Sequence, residues 1–266
     1  MTESARAIIA DFWDEYLANW LAGDRAIPPD LRPWADSYRG KGKGAVDFEH
    51  YPDPYVGDLR GLRVEPRVIV LGLNPGVGYD QLQSPEGTWA RRIAETSYSS
   101  CFLRSPAEDP AVWTALHGKP SPYWAKIIRF AQRWLDDSAV TVRDVLNFEL
   151  YPWHSFGLTA SIKPPPEVVD RFVWQPVQDA AVNEVFAFGQ DYFGVCEKLG
   201  LPLVAAYGFG GEPFPIEDGA RRRLATYLLP SGQLVVVWKH QGSASPPGAD
   251  WLEVMRACVR DARSRL

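Results

Sequence analysis

The chain has 266 residues, 46% of them apolar and 23% charged, with a formal net charge of −5. This length suits one large α/β domain with a decorated edge, and the acidic balance excludes a general polycation, so nucleic-acid binding needs a local basic face. No apolar run reaches the roughly 18 residues of a membrane span and no secretory pattern opens the chain, so a cytoplasmic protein with no membrane partner is expected.

Residues 5–21, ARAIIADFWDEYLANWL, carry Ile8, Ile9, Phe12, Tyr16, Leu17, Trp20 and Leu21 at helical spacing and predict an amphipathic helix. Residues 22–64 are rich in Gly, Pro and charge and predict an irregular connection. RVIVLGL (67–73) predicts a strand that runs straight into the turn formers of Asn74-Pro75-Gly76-Val77-Gly78. A loop-rich stretch over 77–120 leaves room for one short helix near Trp89 to Glu95. Residues 121–137 then predict a second amphipathic helix.

RDVLNFELYPWHS predicts a strand ended at Pro152, and PPPEVVDRFVWQPVQDA a helix interrupted or terminated near Pro176. NEVFAFGQ predicts a strand, DYFGVCEKLG a helix closed by Gly200, and LPLVAAYG a short strand. Residues 222–240 predict a hairpin about Pro230 to Gln233, and 248–266 a closing helix. Strands alternating with helices imply a three-layer α/β sandwich: a four-stranded, mainly parallel sheet with helices on both faces. Its strands are expected at 67–72, 144–149, 184–188 and 234–238. Residues 1–64 are read as an N-terminal helix and irregular extension, and 65–266 as the α/β domain, the two forming one compact unit.

Ligands of an open α/β sheet bind beyond the carboxyl ends of the strands. Asn74 after the first strand, Asn147 at the end of the second, Gly189-Gln190 after the third and His240 after the fourth should therefore share one rim. The ordinary motifs are missing there. GLNPGVGYD has no lysine and is no P-loop, it lacks the third glycine of a dinucleotide fingerprint, and no G-x-S-x-G or H-E-x-x-H occurs. Cys101, Cys196 and Cys258 contain no C-x-x-C pair, and His50, His117, His154 and His240 lie far apart in sequence. Neither set has metal-ligand spacing, so no metal and no cofactor are expected.

Gly72-Leu73-Asn74-Pro75-Gly76 after the first strand, Asn147 on the second and His240-Gln241-Gly242-Ser243 after the last resemble the uracil-DNA glycosylase superfamily. The likeness is to the branch with a Gly-x-Asn-Pro-Gly first motif and spans about residues 66–250. It implies a monofunctional DNA glycosylase that flips a pyrimidine and hydrolyses its glycosidic bond. By that resemblance Asn74 orients water and His240 donates to the leaving base as a neutral imidazole. Asn147 pairs with the base edge. Gly72, Leu73, Gly76, Tyr79 and Phe102 would shape the base pocket. For the stacking ring Tyr79, Trp89, Tyr98 and Phe102 compete, Phe102 being favoured. Gln241, Gly242, Ser243, Ser245, Arg91 and Arg92 are the expected DNA contacts. The partner is single- or double-stranded DNA, the state a monomer, and the setting the cytoplasm with nucleoid association.

Two departures from the family pattern matter. The best-known branch has Asp at Asn74 and Tyr at Gly76, where the ring excludes 5-substituted bases. Glycine opens that side to a larger, phage-type base, which makes anti-phage defence a role beside DNA repair. The stretch HQGSASPPG lacks a bulky apolar wedge. Two alternatives follow: a sensor of modified bases that kept the fold without its chemistry, and an unrelated small-molecule hydrolase on the same rim. His154 is open between a packed corner and a rim residue. The runs Arg221-Arg222-Arg223 and Lys126, Arg129 and Arg133 are expected as solvated faces unless they flank the rim.

Overall fold

Four short runs rich in β-branched and aromatic residues are buried almost throughout, so each needs a helical layer above and below it. In the computed structural model they lie side by side: β2 (Val68–Gly72), β3 (Val145–Glu149), β4 (Glu184–Phe188) and β7 (Leu234–Trp238). The structure describes residues 4–101, 117–119, 121–208, 211–213, 222–239 and 245–266. Strand order, with β1 at Tyr55–Val56, β5 at Leu203–Tyr207 and β6 at Leu224–Leu228, is β1-β3-β2-β4-β7-β6-β5, and the four strands β3, β2, β4 and β7 are parallel.

The sheet is therefore mixed and seven-stranded, which corrects the expected four. β1 (Tyr55–Val56) pairs antiparallel to β3, and its two residues are too few to show a period of their own. β6 (Leu224–Leu228) folds back on β7 as the hairpin partner, and β5 (Leu203–Tyr207) adds antiparallel to β6.

One face of the sheet presents Ile69, Leu71, Leu146, Phe148, Val185 and Ala187. Helix α1 (Ala5–Leu21) buries Ile9, Trp13, Leu17 and Trp20 in that core, so the N-terminal segment is continuous with the sheet it covers. Ser4 caps α1 through its side chain, which accepts from the Ala7 amide at 3.2 Å. The same layer holds α2 (Arg32–Ala35), α3 (Asp80–Gln83), α4 (Thr88–Glu95) and α5 (Tyr98–Cys101). The other face, with Val68, Val70, Val145, Phe186 and Val236, is covered by α6 (Pro122–Leu135) and the closing helix over Ala249–Arg263.

Helix α7, over 166–178, passes through Pro176 rather than stopping there. A π turn over Asp170–Trp174 carries the bond from Gln175 N–H to the Asp170 carbonyl, widening the helix where the proline ring would strike the preceding turn. Helix α8 (Asp191–Lys198) follows β4, and Gly200, at φ +67°, ends it in the left-handed conformation. The closing helix, Ala249–Arg263, is α9. Among the described residues no helix is long and apolar enough to cross a membrane.

Candidate functional site

The chain steps from β2 to β3 on one side, then crosses back to β4 on the other, which makes the carboxyl end of β2 a switch point. At that end the chain turns through Gly72, Leu73, Asn74, Pro75 and Gly76. The turn is tied down by the segment that follows β3. Leu150 N–H donates to the Gly72 carbonyl at 3.0 Å, Tyr151 N–H to Leu73 at 2.9 Å and Ser155 N–H to Gly76 at 2.9 Å. Tyr192, on α8, also donates its hydroxyl to the Gly72 carbonyl, at 2.6 Å.

Asn74 stands half-buried in this frame. Its Nδ2 donates to Ser155 Oγ at 2.9 Å, and Ser155 is itself buried. The contact fixes the amide and leaves Oδ1 without a hydrogen bond among the described residues, so that oxygen is available to a water or substrate proton. Leu73 turns its side chain away from the turn and over Gly189, where a Cβ would come within 2.7 Å of it. Gly76 has φ +82°, and no described atom lies within 4 Å of the position a Cβ would take. Backbone conformation requires the glycine, and the space beside it is open.

Asn147 is not at the strand end. It pairs in register with Val70, in the middle of β3, and is 1% exposed. Tyr123 donates its hydroxyl to Asn147 Oδ1 at 2.8 Å, and Asn147 Nδ2 donates to Glu149 Oε1 at 2.8 Å. The residue level with Gly72 is Glu149, which sequence reasoning passed over. A Cβ on Gly72 would lie 2.4 Å from Glu149 Oε2, so the carboxyl fills the space that the glycine leaves. Glu149 Oε2 is buried with no hydrogen-bond partner among the described residues. Burial pushes this carboxyl up to about 8; the Asn147 hydrogen bond pulls the other way, and the Asp53 charge adds to the rise. A carboxyl whose burial favours the protonated form, with one oxygen free of hydrogen bonds among the described residues, thus stands beside Gly72 at the start of the Asn74 turn.

Two histidines far apart in sequence meet behind the turn, with ring centroids 6.0 Å apart. His154 is fully buried, with Nδ1 3.2 Å from the Gly76 carbonyl and Nε2 3.1 Å from that of Tyr51. It is a packed corner that braces the turn. His50 lies between Asp47, at 2.7 Å, and Asp80, at 3.0 Å, and its ring occupies the space beside Gly78. Among the described residues no three His, Cys, Asp or Glu side chains are grouped to hold a metal ion.

The remaining expected residues scatter. Tyr79 is half-buried with its ring edge-on to His117 at 4.7 Å. Trp89 is 6% exposed, and Tyr98 is buried with its hydroxyl on the Tyr55 carbonyl at 2.7 Å, so both belong to the core and not to a stacking surface. Arg91 is exposed and Arg92 half-buried, both on α4, while Ser245 is buried. Phe102, His240, Gln241, Gly242 and Ser243 lie outside the described residues, as does Arg221. Arg222 and Arg223 are buried rather than a solvated face. Arg223 lies 4.6 Å over the Trp238 ring, and Arg222 meets Glu197 and the Tyr227 hydroxyl at 2.5 and 2.9 Å. Lys126, Arg129 and Arg133 are all exposed along α6, as expected of a solvated face.

The chain matches no known family model and no curated protein.

Proposed function

We propose that the chain is a monofunctional DNA glycosylase that acts on uracil or a 5-modified pyrimidine. The observation that carries this reading is Asn74 at the switch point, its amide oriented by Ser155 with Oδ1 unoccupied. Hydrolysis of an N-glycosidic bond passes through a cationic sugar, so an oriented water needs an acceptor more than a strong base. Asn74 Oδ1 is such an acceptor, held in place before substrate arrives. The resemblance of GLNPG to the uracil-DNA glycosylase superfamily assigns the same task to Asn74 and leaves charge stabilisation on the base to His240. No lysine stands in the turn to form a Schiff base, so the reaction stops at the abasic site.

Gly76 supports a roomy pocket, since nothing described fills the space beside it. A bulky phage-type base and a role in anti-phage defence fit that opening. Base reading differs from the simple expectation, because Asn147 already serves Tyr123 and Glu149. In this account Asn147 acts through Glu149, holding Oε1 so that Oε2 is the carboxyl atom left to pair with a base edge.

The commitment of Asn147 also favours a second reading, a modified-base sensor without catalysis. The two separate on one experiment: oligonucleotides carrying uracil, 5-hydroxymethyluracil, 5-hydroxymethylcytosine or its glucosylated form, assayed for binding and for alkali-labile sites. Cleavage of at least one supports the glycosylase. Binding without cleavage supports the sensor, and neither result on any base removes both.

A further inference from the structure

A cleft of about 430 Å³ opens beside the carboxyl ends of β4 and β7. Lys163 from the segment before α7, Lys198 at the end of α8, Arg222 and Lys239 all line it. Lys163 and Lys198 are exposed, Lys239 is half-buried and Arg222 is buried. None of the three lysines forms an ion pair among the described residues. Arg222 is held against Glu197 and over the Phe193 ring, and its Nε has no partner among the described residues. Four cations from separate segments thus converge on a chain whose net charge is −5.

We propose that this cleft is a docking track for the phosphodiester backbone of a single nucleic-acid strand. Of the four cations Arg222 is met by Glu197, while the three lysines have no ion pair among the described residues, and their mutual repulsion is relieved by a ligand that brings several anions at once. A lone phosphate fits less well. The amino end of α8, where a phosphate would meet free amides, carries Asp191 in its first turn. That carboxylate faces the cleft and accepts from the Ile162 amide at 3.0 Å, so it would oppose an anion seated there. Several cations lining one cleft together with apolar Ile162, Pro164 and Phe193 suit a chain of phosphates and sugars.

The inference rests on the reading of this chain as acting on nucleic acid, and its test needs no chemistry. Binding of fluorescein-labelled, unmodified single-stranded DNA to the full chain would be followed by anisotropy across a salt series. The double variant Lys163→Glu/Lys198→Glu changes two exposed side chains that form no ion pair among the described residues, and circular dichroism would confirm its fold. The expected result is an affinity at least tenfold lower. The salt slope should be shallower by about 1.4, at roughly 0.7 for each phosphate no longer neutralised. The charge-preserving Lys163→Arg/Lys198→Arg variant should bind as the wild type does. Unchanged affinity and slope in a folded Glu variant would overturn the proposal. So would an equal loss of binding to polyglutamate, or saturable deoxynucleoside monophosphate binding at the cleft with no gain from the polymer. Loss of DNA binding without any glycosylase activity on modified bases would leave the cleft standing and count against the reading of the Asn74 site alone.

Discussion

The carboxyl group of Glu149 occupies the place where Gly72 would carry a side chain, Oε2 lying 2.4 Å from that point. The first glycine of the turn is thus explained by a residue on the neighbouring strand. Gly72→Ala should force a buried carboxyl out of position, at a cost of about 1–3 kcal/mol. Urea unfolding measures it. In a Glu149→Ala background the same alanine should cost much less, and additive losses would show that the two positions are not coupled.

Burial raises the Glu149 carboxyl from an ordinary 4.5 to about 8, so folding favours the protonated form. That contribution to stability is fully present below pH 4.5 and is lost as pH rises through 8. Across this window wild type should lose stability relative to Glu149→Gln, at up to about 1.4 kcal/mol per pH unit. Thermal unfolding of both proteins from pH 5 to 9 checks it, and parallel curves would refute it. Glutamine keeps the acceptor for Asn147 and a donor at the second position, so the variant should fold.

Asn74 makes one hydrogen bond and is half-buried, so Asn74→Ala should cost no more than about 1 kcal/mol of stability. Its effect on glycosidic cleavage should be far larger, a loss of a hundredfold or more on the order of other positioned catalytic groups. Ser155→Ala removes only the orientation of the amide and should fall between Asn74→Ala and wild type. Single-turnover rates read the order. A Ser155→Ala loss deeper than that of Asn74→Ala would mean that the hydroxyl, not the amide, is the working group.

Gly76 adopts φ +82°, so any side chain there strains the backbone by about 1–2 kcal/mol. Gly76→Ala should show that strain alone. Gly76→Tyr should in addition close the open side of the pocket, cutting cleavage of 5-substituted pyrimidines more than cleavage of uracil. Rates on paired substrates test this; equal losses on both would place the pocket elsewhere.

The central strands and helix α1 are legible in the sequence because their periodicity is local: VIVLG, VFAF and the 5–21 stripe each declare themselves within a few residues. Asn74 is equally visible, since the Gly/Pro turn around it follows a strand directly. Glu149 is not. It reads as the polar tail of a strand, and only the β2–β3 register sets it against Gly72. The strand expected at 144–149 forms as Val145–Glu149, but Asn147 lies in its middle and not at its end, and residues 150–155 run on as the partner of the turn. His50 and His154 meet through folding across the whole N-terminal layer, a relation with no sequence spacing to betray it. Nor does an aromatic residue reveal whether it fills a core, as Trp89 and Tyr98 do, or faces a ligand.

The decisive measurement is abasic-site formation by wild type and Asn74→Ala on DNA carrying uracil or a 5-modified pyrimidine. Wild type should produce alkali-labile sites, and a folded Asn74→Ala variant should lose them almost completely. Cleavage that survives the substitution, or none from wild type on any of these bases, would contradict the proposed function.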